Sequence, residues 1–341
     1  MAVARLASDD PKWLEWLASR PDATPFHHPA WLRVVAGSYG YPSFVLALTD
    51  EHGAIRAGMP IVEISRPLLG KRWVSLPFTD WSPPVMDDGV SAAELLTHVD
   101  EARREAEVNQ LEIRGALTPT AQPVSVGFRH VLHLSDDPQA LFSAFHPSQV
   151  QRNIRRAERE GVAVRRSTSP SDLLDLFYQL HVQTRRRLGV PVQPRAFFRL
   201  IGDQVLSRDL GFVVLASHGG RTVAGALFLA WNGTVIYKFG ASEAAAWTVR
   251  PNHAIFWEAI HWGATNGFHT LDFGRTDFDT PGLRTFKLQW GTEEQPMVYS
   301  ALGSPLRTGA GRASHLLGTL IRHSPKWVAQ ATGELLYRFA A

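Results

Sequence analysis

Apolar positions along the chain define two similar series of predicted elements. In the first half, three strand-like runs, a helix-like segment and a further strand follow one another at residues 43–48, 55–64, 72–76, 92–109 and 110–114. In the second half, the same kinds of element follow in the same order at residues 211–216, 223–231, 234–239, 252–265 and 270–273. The pattern therefore predicts two copies of one arrangement.

Matching positions in the two series lie at a nearly constant separation. Three pairs show this, with separations of 168, 167 and 160 residues: Phe44 and Phe212, Ala57 and Ala224, and Leu111 and Leu271. A shared order of elements at a nearly fixed separation indicates duplication of one structural unit.

Each predicted unit combines two kinds of strand connection. Strands joined by hairpins, one of them predicted at the turn Asn232-Gly233, form an antiparallel sheet, and the later strand–helix–strand crossover adds a parallel pair. This mixture is typical of an acetyltransferase-like unit rather than a doubly wound parallel sheet. We therefore predict an α/β fold with mixed sheets, in which acetyltransferase-like domains span residues 1–137 and 138–305 and an amphipathic helical tail spans 306–341.

The composition fits two globular domains. The chain has 341 residues, of which 45% are hydrophobic and 20% charged, so two cores of ordinary size can form. The absence of cysteine excludes disulfides, thiolate nucleophiles and cysteine metal sites. The first residues include Asp9 and Asp10, which do not suit a signal peptide, and no run reaches the roughly 18 apolar residues of a spanning helix. We expect a cytoplasmic protein.

Arginines are clustered although the net charge is only +3. Residues 148–161 are predicted to form a helix with Ser148 as the N-cap and Gly161 at its end. Four arginines share one face of this helix at positions i, i+3, i+4 and i+7: Arg152, Arg155, Arg156 and Arg159. Guanidinium groups bind phosphate oxygens bidentately, so this face is predicted to bind an anionic, phosphate-bearing acceptor substrate, the nucleic-acid backbone of a transiently bound tRNA, or an anionic lipid head group. The alternative is a solvated face whose charge is partly offset by Glu158 and Glu160.

A second arginine cluster, residues 185–187, closes a predicted helix at 171–188 immediately before Gly189. Cations at a helix C-terminus interact favourably with the helix dipole, which is a structural reason for the cluster. Arg187 is also a candidate for phosphate binding.

Several motifs in the second half resemble those of the Fem-type peptidyltransferases. They are NIRRAEREGVAV at 153–164, YKFGAS at 237–242, PN at 251–252 before WEAI at 257–260, LDFG at 271–274, and GLRTFKLQWG at 282–291. The last block, with its Phe-Lys-x-x-aromatic-Gly pattern, is the most distinctive. The resemblance covers residues 140–300 and reaches the first domain through its architecture and the HPAW element at 28–31.

This resemblance implies two acetyltransferase-like domains that transfer an amino acid from aminoacyl-tRNA to an amine, typically on a peptidoglycan precursor. It also implies roles in exopolysaccharide or natural-product pathways for proteins of the same fold, some with acyl-CoA donors. By the same resemblance Lys287 is catalytic and Phe286 stands beside it. No permanently bound cofactor is implied.

The chemistry of amide formation gives an independent reason for a lysine. Attack of an amine on an ester or thioester builds negative charge on the carbonyl oxygen, which a fixed ammonium group stabilises. Without the motif, Lys287 would be interpreted as a surface residue at a strand edge. The donor carbonyl is expected in a gap between central strands near residues 237–239. There, Tyr237 is either a proton donor or a core aromatic, and Asp272 either orients the amine or pairs with Lys287.

The identity of the donor stays open. Residues 248–254 occupy the position of the Gly-rich pyrophosphate loop of acetyl-CoA enzymes but contain no glycine. Pro251 removes one amide donor, although Arg250 remains a candidate phosphate ligand. This departure disfavours acyl-CoA, while the lack of the long helical hairpin of some Fem enzymes disfavours aminoacyl-tRNA.

Other chemistry has little support in the sequence. None of the 14 histidines forms a convincing His-x-x-x-His pair, and we predict no metal site. The tail at residues 315–339 mixes apolar and basic side chains, and Pro325 splits it into two predicted helices. The tail is predicted to pack on the domains or a second copy, or else to make peripheral contact with the inner membrane face.

Three hypotheses follow. The chain transfers an aminoacyl or acyl group to an amine of a cell-envelope precursor, polysaccharide or secondary metabolite. It instead acetylates an amino sugar from acyl-CoA. In the third hypothesis, it is a degenerate acyltransferase fold that acts as a binding module.

Overall fold

The computed structural model describes residues 1–66, 70–117, 123–306, 318–319, 321–322 and 325–337. The chain divides into two compact units. Unit 1 contains Met1–Phe128 and a returning segment that begins at Pro296, and unit 2 contains Arg129–Gln295 and most of the C-terminal segment. The two unit boundaries fall within strands β7 (Val124–His133) and β13 (Glu293–Gly303).

In its described residues, unit 1 contains three helices and a mixed sheet. The helices are α1 (Pro11–Ala18), α2 (Pro29–Tyr39) and α3 (Ala92–Glu105), and the strands are β1 (Ala2–Ala7), β2 (Ser43–Thr49), β3 (Ile55–Arg66), β4 (Gly70–Val74), β5 (Val85–Met86) and β6 (Val108–Ile113). Strands β1 to β4 are antiparallel neighbours, β4 and β6 are parallel, and β6 pairs antiparallel with the end of β13.

Helix α3 shows why this order of elements folds. Ser91 caps its first turn by accepting a hydrogen bond from the amide of Glu94 at 3.1 Å. Its apolar side chains Leu95 and Val99 are buried against sheet residues that include Trp73. Truncating such a buried leucine to alanine costs about 2–5 kcal/mol, so this face fixes the helix on the sheet.

Unit 2 repeats the arrangement and adds helices. Its strands are β8 (Ala163–Ser167), β9 (Gly211–His218), β10 (Arg221–Trp231), β11 (Thr234–Ser242) and β12 (Thr270–Thr276). Its helices are α4 (Pro138–Ala144), α5 (Arg152–Arg159), α6 (Tyr178–Leu188), α7 (Arg195–Gln204), α8 (Pro251–Thr265), α9 (Pro281–Leu288) and α10 (Lys326–Tyr337). Strands β8 to β11 are antiparallel neighbours, and β11 and β12 are parallel.

The β10–β11 hairpin and helix α8 place the core of unit 2. The predicted hairpin turn is confirmed at Asn232 and Gly233, both of which have positive φ values, 49° and 72°. Helix α8 follows β11 and buries Phe256 against Phe228 and Phe273. This packing fixes the helix beside the ends of β11 and β12.

The predicted α/β class and the tandem units are confirmed, but the predicted boundaries differ from the observed ones. The units change at residues 128–129 instead of 137–138, and the chain from Pro296 belongs to unit 1 instead of unit 2. The reason is that Ser300–Gly303 of β13 pair with β6. Such long-range pairing leaves no trace in local hydrophobic periodicity.

The predicted arginine helix begins differently from its prediction. The N-cap is His146, whose Nδ1 accepts from the amide of Gln149, so the assignment of Ser148 was wrong. A π-helical turn at Pro147–Gln151 leads into α5, and Gly161, with φ of 74°, follows its end as predicted. A similar π-helical turn at Asp172–Phe177 precedes α6.

The described part of the tail packs on unit 2. Helix α10 lies against α6, and the Tyr337 hydroxyl accepts from Arg185 Nη2 at 2.9 Å. Most of the predicted helix before Pro325 lies outside the described residues. The sequence predicted either packing of the tail on the domains or a second copy, or contact with a membrane. Helix α10 packs on unit 2. No helix among the described residues has the length and apolarity to span a bilayer.

Gly333 gives a test of this docking. The residue is buried in α10, and a Cβ there would overlap the carbonyl group of Val192. Gly333→Leu is therefore expected to displace α10 and to lower the free energy of unfolding by about 1–3 kcal/mol, as overpacking does. Denaturant unfolding and limited proteolysis at α10 measure the effect. Ala331→Leu, at an exposed position of the same helix, is the control, and equal effects of both variants would contradict the docking.

Candidate active site

Strands β11 and β12 separate in the middle of unit 2. Their parallel pairing covers Thr234–Ile236 and Thr270–Asp272. Beyond these pairs β11 continues to Ser242 and β12 to Thr276. The gap opens at Tyr237 and Phe273, which is where the sequence placed the donor carbonyl.

A bulge in β11 lies beside this gap. Opposite β10, Leu227 pairs with Phe239 and Phe228 pairs with Tyr237, so Lys238 is the extra residue. A bulge bends its strand and turns backbone groups out of the regular ladder. Backbone N–H groups that leave the ladder at a strand gap are suited to bind a carbonyl oxygen.

The corresponding opening in unit 1 is closed by its own chain. Parallel pairing of β4 and β6 runs to Val74 and Glu112, and the amide of Ser75 then donates to the carbonyl of Glu112 at 2.8 Å. Ser82 next forms a bridge to Arg114 across the place where the strands would part. Of the two strand pairs, the one in unit 2 is therefore the candidate for holding a substrate.

Lys287 lies at the β12 side of the gap. It is the penultimate residue of α9 and only 2% exposed, so it is neither in a strand nor at the surface. Its Nζ donates to the carbonyl oxygens of Gly274 at 2.8 Å and Arg275 at 2.9 Å. These bonds supply the compensation that a buried ammonium requires, and they place a positive charge at the end of β12.

Phe286 belongs to an aromatic cluster between α8 and α9. Its ring lies 5.5 Å from His253, 5.7 Å from Phe256 and 6.1 Å from Trp290. Phe286 therefore positions α9, and with it the backbone that carries Lys287.

Asp272 ends the paired part of β12 and has an arginine partner. Its carboxylate accepts from Arg129 Nε at 2.6 Å and from the amide of Gly274 at 2.7 Å. The ion pair that the structure gives Asp272 is thus with Arg129 of β7. The carboxylate also fixes the turn of β12 at Gly274, whose φ is 72°.

A buried histidine network lies beside Lys287 and was missed by the sequence analysis. His130 is fully buried, with Nε2 3.1 Å from Glu294 and Nδ1 3.3 Å from the Thr276 hydroxyl. Burial, and then the positive charge of Lys287, lower the pKa of His130. Arg284 pairs with Glu294 and is the main cause that lowers the pKa of that carboxyl. Thr276 and Arg284 lie shortly before Phe286 and Lys287 in the sequence, but no local pattern points to His130.

Tyr237 is packed like a core aromatic. Its ring contacts Phe228 and Phe256 at centroid distances of 5.7 and 4.8 Å. A Cβ at Gly240 would overlap its hydroxyl, so the glycine makes room for the phenol. Burial raises the pKa of Tyr237 to about 12, which keeps the hydroxyl protonated at neutral pH.

The arginines of α5 are placed unequally. Arg152, Arg155 and Arg159 are exposed, whereas Arg156 is half-buried and pairs with Glu160 at 3.5 Å. Helix α5 packs on α8, where the Asn153 amide lies 3.4 Å from His253 Nε2. The exposed arginines therefore border the N-terminal end of α8.

Arg187 has a structural role in the folded unit. Its guanidinium donates to the carbonyl of Ser242 at 2.9 Å and stacks 4.9 Å from the Trp247 ring. Burial lowers the pKa of Arg187. These contacts tie α6 to the end of β11, in line with the structural reading of the 185–187 cluster.

Arg250 stands where α8 begins. It adopts a left-handed conformation with φ of 60°, a region that favours glycine, and Pro251 opens the helix. The Nε atom of Arg250 is buried and has no hydrogen-bond partner in the part of the chain that the structure describes. The position of the expected glycine loop is thus filled by an arginine whose guanidinium is available at the helix N-terminus.

Comparison with known proteins agrees with this geometry. The sequence pattern of the acetyltransferase (GNAT) domain family matches residues 145–287, which include the strand gap and Lys287. These residues are a GNAT-type acetyltransferase domain. The chain is therefore an acyltransferase.

Solved structures share the whole architecture. FemX superposes with a TM-score of 0.68 at 14% identity, over 88% of this chain and 96% of that one. The C-terminal domain of a protein assigned as a lysylphosphatidylglycerol synthetase from Agrobacterium fabrum gives 0.56 at 14% identity, over 91% and 95%. A tandem GNAT protein of the clavulanic acid biosynthesis pathway gives 0.52 at 11% identity, over 89% and 99%. The tandem, Fem-like fold expected from the sequence is confirmed. No protein of curated function matches the sequence.

The GNAT domain shows no metal centre within the described residues. Across the described part of the chain, no group of three or more histidine, aspartate and glutamate side chains is arranged to hold an ion.

A second buried histidine packs behind β11. His181 lies among Phe177, Phe198 and Phe239, and its Nε2 bonds to the Gln193 side chain at 2.7 Å. Its Nδ1 is buried without a hydrogen-bond partner among the described residues. Burial, aided by the charge of Arg185, lowers the pKa of His181 to about 3. Burial and Arg250 likewise lower the pKa of His253 to about 4.

The lowered pKa values of His181 and His253 predict that the folded protein loses stability in acid. Below pH 6.5 the unfolded chain binds protons at His181 and His253, whereas the folded chain stays neutral there until about pH 3 to 4. Stability is therefore highest above pH 6.5 and is lost as pH falls, by on the order of several kcal/mol in total. Urea unfolding at several pH values measures this slope.

The variant His181→Gln assigns part of the slope. Loss of the imidazole should reduce the change in the free energy of unfolding between pH 6.5 and pH 4. This holds even if the variant is less stable than the original protein at pH 7. His52→Gln, which removes an exposed histidine, is the control. An unchanged slope in His181→Gln would show that another group controls acid unfolding.

Proposed function

We propose that unit 2 forms amide bonds by transferring an aminoacyl or acyl group from a phosphate-bearing donor to an amine. The observation that carries this proposal is the gap between β11 and β12, with the buried ammonium of Lys287 at its edge. The donor carbonyl enters the gap and accepts hydrogen bonds from backbone amides freed by the bulge and by strand separation. The amine then attacks the carbonyl carbon.

Lys287 acts on this step through electrostatics. Negative charge develops on the carbonyl oxygen as the new C–N bond forms, and a positive charge nearby lowers the energy of that state. The ammonium is bonded to the carbonyls of Gly274 and Arg275. Polarisation of these peptide groups strengthens their N–H groups as donors.

The proton balance assigns a role to Tyr237. As the tetrahedral intermediate collapses, the C–O bond of an ester donor, or the C–S bond of a thioester, breaks. The amine loses one proton, and the leaving oxygen or sulfur gains one. With a pKa of about 12, Tyr237 is a proton donor and not a base at neutral pH. We assign Tyr237 to the leaving group: its hydroxyl gives a proton to the leaving oxygen or sulfur and regains one from the amine nitrogen, which arrives unprotonated and carries an extra proton once it has attacked.

Aminoacyl-tRNA is the donor that we favour. The start of α8 lacks the glycines of a pyrophosphate loop, and the proline at its first position removes an amide donor. The adjacent Arg152, Arg155 and Arg159 are exposed and match the charge of a nucleic-acid backbone. Aminoacyl-tRNA and acyl-CoA are both cytoplasmic molecules, so we infer that the reaction occurs in the cytoplasm.

Acyl-CoA is the second candidate, because Arg250 places a guanidinium at the N-terminus of α8. This is where a GNAT domain receives the pyrophosphate of its donor. Charge complementarity again suits a phosphate group. An amino sugar would then be a suitable acceptor.

For the acceptor we infer an amine on a cell-envelope precursor, a polysaccharide or a secondary metabolite. The lysylphosphatidylglycerol synthetase domain, which shares the fold, is named for a membrane-lipid product, and this supports an acceptor of the envelope type. An acceptor carried by a lipid would require peripheral contact with the inner membrane face, for which the apolar and basic residues of the tail are the candidate segment.

Thermal stabilisation distinguishes the donors. Aminoacyl-tRNA is expected to raise the melting midpoint by several degrees more than uncharged tRNA, since binding only the folded state stabilises it. The triple variant Arg152→Gln, Arg155→Gln, Arg159→Gln should lose this shift. The control triple Arg199→Gln, Arg208→Gln, Arg221→Gln removes the same charge from exposed positions elsewhere in unit 2. A shift with acetyl-CoA alone would favour the second candidate, and no shift with either would reject both donors.

The catalytic role of Lys287 is tested by Lys287→Met, which keeps the apolar stem but removes the charge. We expect the single-turnover rate of transfer to fall about 100-fold or more, as when one stabilising donor is lost. Binding of the donor, followed by filter retention or thermal shift, should change much less. Lys12→Met, which removes an exposed lysine of unit 1, is the matched control. Equal rates in the two variants would remove Lys287 from the mechanism.

A further inference from the structure

A basic pocket lies on the sheet of unit 1, and no step of the proposed reaction uses it. Its volume is about 230 Å³. Charged and amide side chains line most of it: Arg66, Lys71, Arg72, Asn109, Gln110 and Glu112. Ile64, Gly70 and the chain at residues 304–305 complete the wall.

Strand register brings these side chains together. Ile64 of β3 stands opposite Arg72 of β4, which stands opposite Gln110 of β6. Side chains two residues apart on a strand share a face, so Arg66 and Glu112 join the same surface. Gly70, with φ of 77°, completes β4 without a side chain, and a Cβ there would overlap the Asn109 amide.

Among the described residues that line the pocket, three are cations and one, Glu112, is a carboxylate. Glu112 is held by Arg114 Nε at 2.7 Å, while Arg72 Nη2 approaches it only to 3.9 Å. The Nε atom of Arg72 is buried without a hydrogen-bond partner among the described residues. Burial, followed by the nearby charges of Arg66 and Arg114, lowers the pKa of Arg72, although Glu112 opposes this. A bound anion would relieve both the repulsion and the unmet donor.

We propose that this pocket binds the phosphate group of a small phosphorylated ligand. The guanidinium forks of Arg66 and Arg72 match phosphate oxygens bidentately, and the exposed Lys71 beside them adds a further positive charge. The pocket is smaller than the roughly 300–1,000 Å³ typical of sites that enclose a whole ligand. It therefore holds the charged end of the ligand while the remainder stays outside.

A surface cluster kept only for solubility would look different. Such cations are spread over a convex, solvated face, where each keeps its own hydration. Here Arg72 is half-buried in a concave wall and its carboxylate neighbour is taken by Arg114. Every described residue of the wall belongs to unit 1, whereas the gap between β11 and β12 lies in unit 2.

Titration of the full chain with inorganic phosphate tests the proposal. Binding is followed by calorimetry and by broadening of the ³¹P signal at constant ionic strength, with sulfate and chloride compared. Arg72→Gln and Lys71→Gln are each expected to weaken phosphate binding about tenfold or more. Lys71 is exposed, so its variant remains informative where Arg72→Gln fails to fold. The control is Arg104→Gln, which removes one exposed charge of unit 1 outside the pocket.

The source of the phosphate is separated by two further probes. Glycerol 3-phosphate represents a soluble phosphate ester, and vesicles containing phosphatidic acid represent a lipid head group. The proposal is supported if glycerol 3-phosphate or the vesicles bind more tightly than inorganic phosphate and if Lys71→Gln weakens that binding about tenfold as well. The probe that binds more tightly then identifies the source of the phosphate group. Equal affinity in Lys71→Gln, Arg72→Gln and Arg104→Gln, or no saturable binding in any titration, would overturn it. These outcomes do not depend on transfer activity, so they are independent of the proposed reaction.

Discussion

The candidate active site depends on a buried ammonium group that holds the free end of a strand. Once β12 leaves β11, its carbonyl groups lose their ladder partners on that side, and an unpaired buried carbonyl is costly. Lys287 donates to two of these carbonyls, at Gly274 and Arg275. The same contacts compensate the burial of the charge. Strand separation and a buried positive charge therefore stabilise each other, and this pairing gives the GNAT domain both a gap and a charge at its edge.

The surroundings of Lys287 keep this geometry rigid. On one side, Phe286 and Trp290 pack α9 against α8. On the other, Asp272 fixes the turn of β12 and is itself neutralised by Arg129. The neutral His130, bonded to Thr276, occupies the space beyond the strand end without adding a charge. The duplicated unit 1 shows the contrast, because its chain closes the equivalent opening with Ser75 and Ser82 and leaves a basic pocket elsewhere.

Local signals predicted much of this architecture. Periodicity gave the repeated order of strands and helices, the Asn232–Gly233 hairpin and the helix-ending glycines at 161 and 189, because these depend on residues close in the chain. The Phe-Lys block pointed to Lys287 through resemblance. The N-cap of the arginine helix was predicted wrongly, because the residue that caps its first turn is His146 and not Ser148. The return of β13 to unit 1 was missed, because its pairing partner is almost 190 residues away.

The sequence by itself therefore determined the class of fold, the duplication and the lysine at the centre of the candidate site. Each of these follows from short-range patterns of polarity, turn chemistry or motif. Tertiary structure alone decided that Asp272 pairs with Arg129, that His130 and Glu294 stand beside Lys287, and that Arg66, Arg72 and Gln110 surround one pocket. Those contacts join residues of distant segments through strand register and burial, and a one-dimensional pattern contains neither.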